Sequence, residues 1–147
     1  MVNEKSIKLD LDRVTARFYD SFTTDGLSKI NNLFDCFISQ GVIVKNSGEL
    51  PEIYNLAQFI EPRKKLIEDK ILTNFKEFEV AERTTIIGNI AQRLSFYQKQ
   101  GELNGEGFEG RGVKMILFIL TDIGWKISSL SWDDEREGLL LKPIECY

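Results

Sequence analysis

Two glutamates placed two residues apart are the first candidates for acid–base chemistry in this sequence. Glu77 and Glu79 alternate with Phe78 and Val80 in a β-prone run, so both carboxylates are expected on one face of a strand. A carboxylate held in an apolar pocket has a raised pKa and can act as a general base. The alternative is that both are exposed carboxylates at a sheet edge or partners in ion pairs.

Two arginines have the chemistry to bind an anionic group. Arg93 is the only cation between Thr84 and Gln98, and its forked donors suit either an anionic ligand group or a strand glutamate. Arg63 follows Pro62, where it would either line the mouth of a pocket or serve in helix capping and surface pairing. The arginines therefore add anion binding to the chemistry that the glutamates suggest.

Aromatic side chains are the remaining candidates for ligand contact. Tyr19, Tyr54 and Tyr97 would donate a hydrogen bond to a bound carbonyl or hydroxyl, or else satisfy their hydroxyls locally in the core. Trp125 and Trp132 are separated by seven residues, an odd number that predicts opposite faces of a regular strand. One tryptophan, taken to be Trp125, should then face the pocket, and the other should face the outer side.

The absence of histidine removes several classes of site. A Ser-His-Asp or Cys-His site and a His-ligated metal cannot be built from one chain of this sequence. The two cysteines, Cys36 and Cys146, fit no metal-ligand spacing, and the acidic run from Asp133 to Glu135 lacks the spacing of an EF-hand. We therefore expect neither a metal nor a cofactor.

Charge and hydropathy argue against two classes of partner, nucleic acids and membranes. The net charge is −4 with acids and bases interleaved, which argues against nucleic-acid binding. No apolar run is long enough to span a bilayer and the N-terminus lacks the apolar segment of a signal peptide, so we expect a cytoplasmic protein without a membrane partner. The 147 residues are expected to form one domain, with residues 139–147 as a C-terminal tail.

Helical periodicity dominates the first half of the chain. It predicts one helix from Leu9 to Thr23 and a second, short helix from Leu27 to Phe34. A strand from Cys36 to Lys45 should follow, and then a third helical region that opens at Leu50. Asp25-Gly26 should end the first helix, because glycine accepts the left-handed conformation found there. Pro62 should mark a helix start or a kink.

β-prone residues dominate the second half, from Thr73 onward. The run from Thr84 to Tyr97 is predicted to be one long strand, which Gly88 bends. The glycine-rich stretch from Gln100 to Gly112 is predicted to be an exposed loop. Two further β runs, joined at Ile123-Gly124, should pair as an antiparallel hairpin. The sequence therefore predicts an α+β domain in which helices cover one face of a strongly curved, mostly antiparallel sheet.

This order of elements resembles the nuclear transport factor 2-like superfamily, which includes ketosteroid isomerase and SnoaL-type polyketide cyclases. The resemblance rests on Phe18–Phe22, Phe59–Arg63, Phe75–Glu79, Gly88–Tyr97, Arg111–Lys114 and Gly124–Trp132. It implies a conical pocket enclosed by the sheet and helices, with Phe59 among its lining residues, and a homodimer formed through the sheet face. The isomerase's set of an Asp base, a Tyr and a protonated Asp has no matching positions here.

Three functions are consistent with this pattern. The first is a small-molecule-binding domain for a small hydrophobic or anionic ligand. The second is a lyase, isomerase or cyclase in which Glu77 or Glu79 is the base and Arg93 or a tyrosine stabilises an enolate. The third is a dimeric interaction module that uses the sheet face and the apolar tail at Leu139–Leu141.

Overall fold

One sheet of six strands forms the larger part of the computed structural model, which describes residues 3–23 and 27–147. In chain order the strands are β1 (Phe37–Lys45), β2 (Glu52–Tyr54), β3 (Leu72–Ile87), β4 (Ile90–Leu103), β5 (Glu106–Thr121) and β6 (Gly124–Asp134). They lie in the order β2-β1-β6-β5-β4-β3, and all neighbours are antiparallel except β1 and β6. The predicted α+β class with a curved, mostly antiparallel sheet is confirmed.

Within the described ranges, three α-helices precede or interrupt the strands: α1 (Glu4–Asp20), α2 (Leu33–Cys36) and α3 (Leu56–Glu68). Short 3₁₀ helices occupy Leu27–Asn32 and Ile144–Cys146. Helix α1 begins before the predicted Leu9 because the Asn3 side chain accepts a hydrogen bond from the Ser6 amide at 2.8 Å and so caps the helix. The predicted helix end at Asp25-Gly26 lies outside the described residues.

The region after Leu50 is not helical at first, contrary to the prediction. Strand β2 comes first, and α3 starts only after Asn55, whose side chain and that of Gln58 form a reciprocal capping box. Pro62 lies inside α3 rather than at its start. The strong cap at Asn55 therefore sets where the helix begins.

Two tight turns lie where the sequence predicts a bent strand and an exposed loop. Gly88 and Asn89 connect β3 to β4, so the run from Thr84 to Tyr97 is two strands and not one bent strand. The predicted loop from Gln100 to Gly112 is instead a long β4–β5 hairpin with a two-residue turn at Asn104-Gly105, both at positive φ. Asn-Gly suits such a turn because both residues accept the left-handed conformation.

A β-bulge in β6 overturns the prediction for the two tryptophans. Leu117 pairs with Ser129 but the next residue, Phe118, pairs with Ile127, so Ser128 is an extra residue. The bulge reverses the alternation, and Trp125 and Trp132 lie on the same face of the sheet rather than on opposite faces. The β5–β6 hairpin itself is antiparallel, as predicted.

The face of the sheet that meets the helices is called the inner face, and the opposite one the outer face. Ser95 and Tyr97 of β4, Lys114 and Ile116 of β5, and Trp132 of β6 share the inner face by register. The hydrophobic core lies between this face and the helices. Among the described residues, no helix combines the length and apolar character needed to cross a membrane.

Candidate functional site

A cavity of about 450 Å³ lies between the inner face and helices α1 and α3. We call it the cone cavity. Its walls are mostly aromatic and aliphatic, and they include Phe18 of α1, Phe59 of α3, Tyr97 of β4 and Trp132 of β6. The volume falls within the range of small-molecule pockets, and aromatic walls favour a flat apolar ligand.

The charged groups of the cone cavity are mostly positive. Among the described residues that line it, four are cations and one is a carboxylate: Lys45, Arg63, Lys99, Lys114 and Glu77. The positive excess attracts an anion, and the surrounding apolar walls weaken the screening of that attraction by water.

Lys114 is the most enclosed of these cations. Its side chain is 5% exposed, and its ammonium nitrogen lies 3.5 Å from the ring centre of Tyr97 and 5.3 Å from that of Tyr19. Glu77 Oε1 is 2.5 Å away and forms an ion pair with it, and no other polar group of the described residues bonds to this buried oxygen. Burial lowers the pKa of Lys114, and the attraction of Glu77 only partly offsets that effect.

Arg63 has N–H groups that are available to bind a ligand. Its guanidinium lies 3.7 Å from the ring centre of Phe59, and Nη1 donates to the Phe59 carbonyl oxygen at 3.0 Å. No carboxylate of the described residues is within ion-pair distance of it. Burial lowers the pKa of Arg63, but an arginine stays charged in proteins. Its remaining N–H groups are suited to a bound carboxylate.

Lys99 belongs to a chain of polar groups beside the cone cavity. Its ammonium lies 3.1 Å from Asp134 Oδ1, which also accepts a short hydrogen bond from the Tyr97 hydroxyl. Burial alone would raise the pKa of Asp134, but the bonds from Tyr97 and Lys99 outweigh burial and lower it. Gly112 makes room for this arrangement, because a side chain there would collide with Tyr97 and lie 2.6 Å from the Asp133 carbonyl oxygen.

A second polar cluster surrounds Arg93, in the groove between α1 and β3. The Arg93 guanidinium donates to both oxygens of Glu79, at 3.0 and 2.6 Å, and to Asp12 at 2.7 Å. Ser95 also donates to Glu79, at 2.5 Å, and the Tyr19 hydroxyl lies 2.7 Å from Ser95 Oγ. Because Glu79 accepts three hydrogen bonds, its lone pairs are engaged and it is poorly placed to take a proton from a ligand.

The site residues predicted from the sequence lie in three separate parts of the structure. Glu77, Phe59 and Arg63 line the cone cavity, and Tyr54 packs beside it, with its ring centre 5.8 Å from that of Phe59. Glu79, Arg93 and Tyr19 line the groove between α1 and β3, which Glu77 also reaches. Trp125 is buried in the core and is not among the described residues that line the cone cavity.

The residues of the cone cavity that the sequence analysis missed as site residues include Lys45, Lys99, Lys114 and Trp132. Lys114 could have been found, because it alternates in phase with Ile116 and Phe118, which are core residues. A lysine on the apolar phase of a strand must be buried with a partner or serve a site. Trp132 was assigned to the wrong face through the unforeseen bulge at Ser128.

The cluster around Arg93 predicts a pH dependence of stability. Burial alone would raise the pKa of Asp12 and of Glu82, but hydrogen bonds from Lys8 to both carboxyls, with others from Arg93 and Thr84, outweigh it. The pKa of each carboxyl in the folded protein therefore lies below its ordinary value, 3.8 for Asp12 and 4.5 for Glu82. A lowered carboxyl pKa contributes stability that is complete above the unfolded pKa and is lost as the pH falls through the folded pKa.

Urea denaturation between about pH 6 and pH 3 measures this dependence. The free energy of unfolding should fall as the pH drops below about 4.5, and the Asp12→Asn variant should fall less steeply over the same range. Equal slopes for the two proteins would show that Asp12 does not carry the effect.

Comparison with known proteins identifies the fold. No family model and no curated protein matches the sequence. The structure is similar to a nuclear transport factor 2-like superfamily protein from Salmonella enterica serovar Typhimurium, with TM-score 0.75 and 13% identity over 91% of this chain and 94% of that chain. It is also similar to a conserved protein from Planctomyces limnophilus, with TM-score 0.73 and 15% identity over 90% and 98% of the two chains.

A third similar structure, from Xanthomonas campestris, is provisionally named a calcium/calmodulin-dependent protein kinase II association domain. Its TM-score is 0.64 and its identity 14%, over 92% of this chain and 91% of that chain. At such low identities the likeness establishes the fold alone. The chain has the nuclear transport factor 2-like fold that the order of its elements indicated.

Proposed function

We propose that this protein binds a small, flat, apolar molecule carrying a negative charge, with an aromatic carboxylate as the simplest example. The observation that carries the proposal is the lining of the cone cavity, where four cations and one carboxylate are set among aromatic rings. The aromatic walls would contact the apolar body, and Arg63, which has no carboxylate partner among the described residues, would bind the charged end.

Isothermal titration with a matched pair of compounds tests this proposal. 2-Naphthoate and 2-naphthamide have nearly the same shape but differ in charge. The carboxylate should bind with a dissociation constant at least about tenfold lower than that of the amide, because a charge-assisted hydrogen bond is stronger than a neutral one. Equal binding, or none by either compound, would refute the proposal.

We also infer that the protein forms a homodimer through the outer face of its sheet. The outer face exposes apolar side chains on neighbouring strands, among them Ile87 of β3, Ile90 of β4, and Met115 and Leu117 of β5. Such a patch is typical of an interface. A second copy is the chosen occupant because two similar structures are named as association domains.

Sedimentation velocity at micromolar concentration tests the dimer. The wild-type protein should sediment as a dimer and Met115→Glu as a monomer, because a charge at the centre of an apolar interface is desolvated without a partner. Leu9→Glu is the control, since Leu9 is likewise apolar and exposed but lies on α1, which packs against the inner face. A monomeric wild type, or a dimeric Met115→Glu variant, would refute this interface.

A further inference from the structure

The amine of Lys114 is a reactive group that ligand binding alone does not require. Lys114 is the only lysine counted as buried among the described residues, and it lines the cone cavity. Arg63 and Lys99 already supply positive charge for an anion there. A buried lysine that faces a ligand cavity is suited to nucleophilic chemistry as well as to charge pairing.

The surroundings of Lys114 lower the pKa of its amine, and this increases the share of the unprotonated, nucleophilic form. The ring centres of Tyr97, Tyr19 and Trp132 lie 3.5, 5.3 and 5.6 Å from the ammonium nitrogen and exclude water from it. Burial lowers the pKa of Lys114 and the nearby charge of Lys99 lowers it further, while Glu77 and Asp134 act in the opposite direction. Desolvation and a second cation are the two means by which proteins activate a lysine.

Glu77 is positioned to move protons for that amine. Its Oε1 lies 2.5 Å from the Lys114 nitrogen, is buried, and has no partner other than Lys114 among the described residues. A carboxylate in that position can accept a proton from the amine and return it to a reacting oxygen. Glu77 also reaches the groove between α1 and β3, which offers a path to solvent for the proton.

Other nucleophiles of the chain are poorly placed for the same chemistry. Burial raises the pKa of the Cys36 thiol to about 11, so it stays protonated at neutral pH. Cys146 is exposed in the C-terminal tail and does not line the cone cavity. Lys99 and Lys45, the other lysines among the described residues that line the cone cavity, have side chains 26% and 36% exposed, against 5% for Lys114. Lys114 is therefore the nucleophile that the cone cavity presents to a ligand.

We propose that Lys114 forms an imine with a small aromatic aldehyde or ketone held in the cone cavity. The choice of an aromatic body rests on the proposed function, whereas the reaction rests on Lys114 and Glu77. The amine nitrogen attacks the carbonyl carbon, Glu77 transfers a proton from nitrogen to the carbonyl oxygen, and a carbinolamine results. Loss of that oxygen as water then forms the carbon–nitrogen double bond. No oxidant or reductant is consumed.

Reductive trapping on the wild-type protein tests the imine. The protein is incubated with 4-carboxybenzaldehyde and sodium cyanoborohydride, and each modified lysine is located by peptide mass spectrometry at short times. Lys65, whose side chain is 77% exposed, is the internal reference. Lys114 should be modified at least about tenfold faster than Lys65, because the cone cavity would hold the aldehyde beside the Lys114 amine and so raise its effective concentration there.

Two further measurements separate imine formation from simple binding. The Lys114→Arg variant keeps the charge but should lose the fast adduct, and excess 2-naphthoate should slow modification of Lys114 but not of Lys65. Modification of Lys65 without that of Lys114 in the wild type would overturn the imine. If 2-naphthoate still bound in that case, the proposed function would stand alone. If 2-naphthoate failed to bind but Lys114 was modified rapidly, the imine would stand and the proposed function would fall.

Discussion

Replacing Arg93 with methionine is expected to lower the free energy of unfolding by about 3–5 kcal/mol, the cost of removing one partner of a buried ion pair. The Arg93 side chain is 3% exposed and donates to Glu79 and Asp12. Without it, the Glu79 carboxylate, whose side chain is only 19% exposed, would keep the hydroxyl of Ser95 as its only donor among these neighbours. Urea denaturation at neutral pH measures the loss.

Two variants test whether the loss comes from the unpaired carboxylate. Arg13→Met removes an arginine that is 75% exposed and paired with Asp10, and it should change the free energy of unfolding by less than about 0.5 kcal/mol. The double variant Arg93→Met with Glu79→Met should be more stable than Arg93→Met alone, because no buried charge is left unpaired. A loss for Arg93→Met no larger than for Arg13→Met would contradict the structural role of the cluster.

Replacing Arg63 with methionine is expected to weaken the binding of 2-naphthoate by about tenfold to a hundredfold, the equivalent of one or two hydrogen bonds to a charged group. Methionine keeps an apolar side chain beside Phe59, over which the guanidinium now lies at 3.7 Å. The binding of 2-naphthamide should change little, since the neutral compound does not use the charge. Titration of both compounds against both proteins measures the difference.

The matched control for Arg63 is its neighbour in α3. Lys64→Met removes the same charge one residue along the helix, at a position that does not line the cone cavity. The affinity of this variant for 2-naphthoate should stay within about twofold of the wild type, because salt screens the effect of a charge that does not contact the ligand. Similar losses for both variants would mean that general attraction, and not contact with Arg63, binds the carboxylate.

The fold was predictable because alternation and helical periodicity are local properties of the sequence. Glu77 and Glu79 of β3 lie on one face of the sheet, as their two-residue spacing predicted. Both residues pair with inner-face positions of β4. The position of Gly88 was misjudged because a glycine inside a β-prone run fits a bulge or a turn equally well. The turn at Asn104-Gly105 had a clear local signal, which the surrounding glycines obscured.

The site was less predictable because it depends on contacts between distant segments. Arg93 pairs with Asp12, 81 residues earlier in the chain, and no local pattern indicates such a partner. The separation of Trp125 and Trp132 gave the wrong answer because one extra residue at Ser128 reverses the alternation beyond it. The spacing of two residues along a strand therefore predicts whether they share a face only when no bulge lies between them.

The central claim is that a small aromatic anion occupies the cone cavity, and the two tryptophan indoles test it directly. Trp132 lines the cone cavity, whereas Trp125 is buried elsewhere in the core. In ¹⁵N-labelled protein each indole N–H gives one NMR signal, and the Trp125→Phe variant assigns the pair. Titration with 2-naphthoate should shift the Trp132 signal in proportion to occupancy and leave that of Trp125 nearly unchanged. Binding detected by calorimetry without a shift of the Trp132 signal would contradict the account.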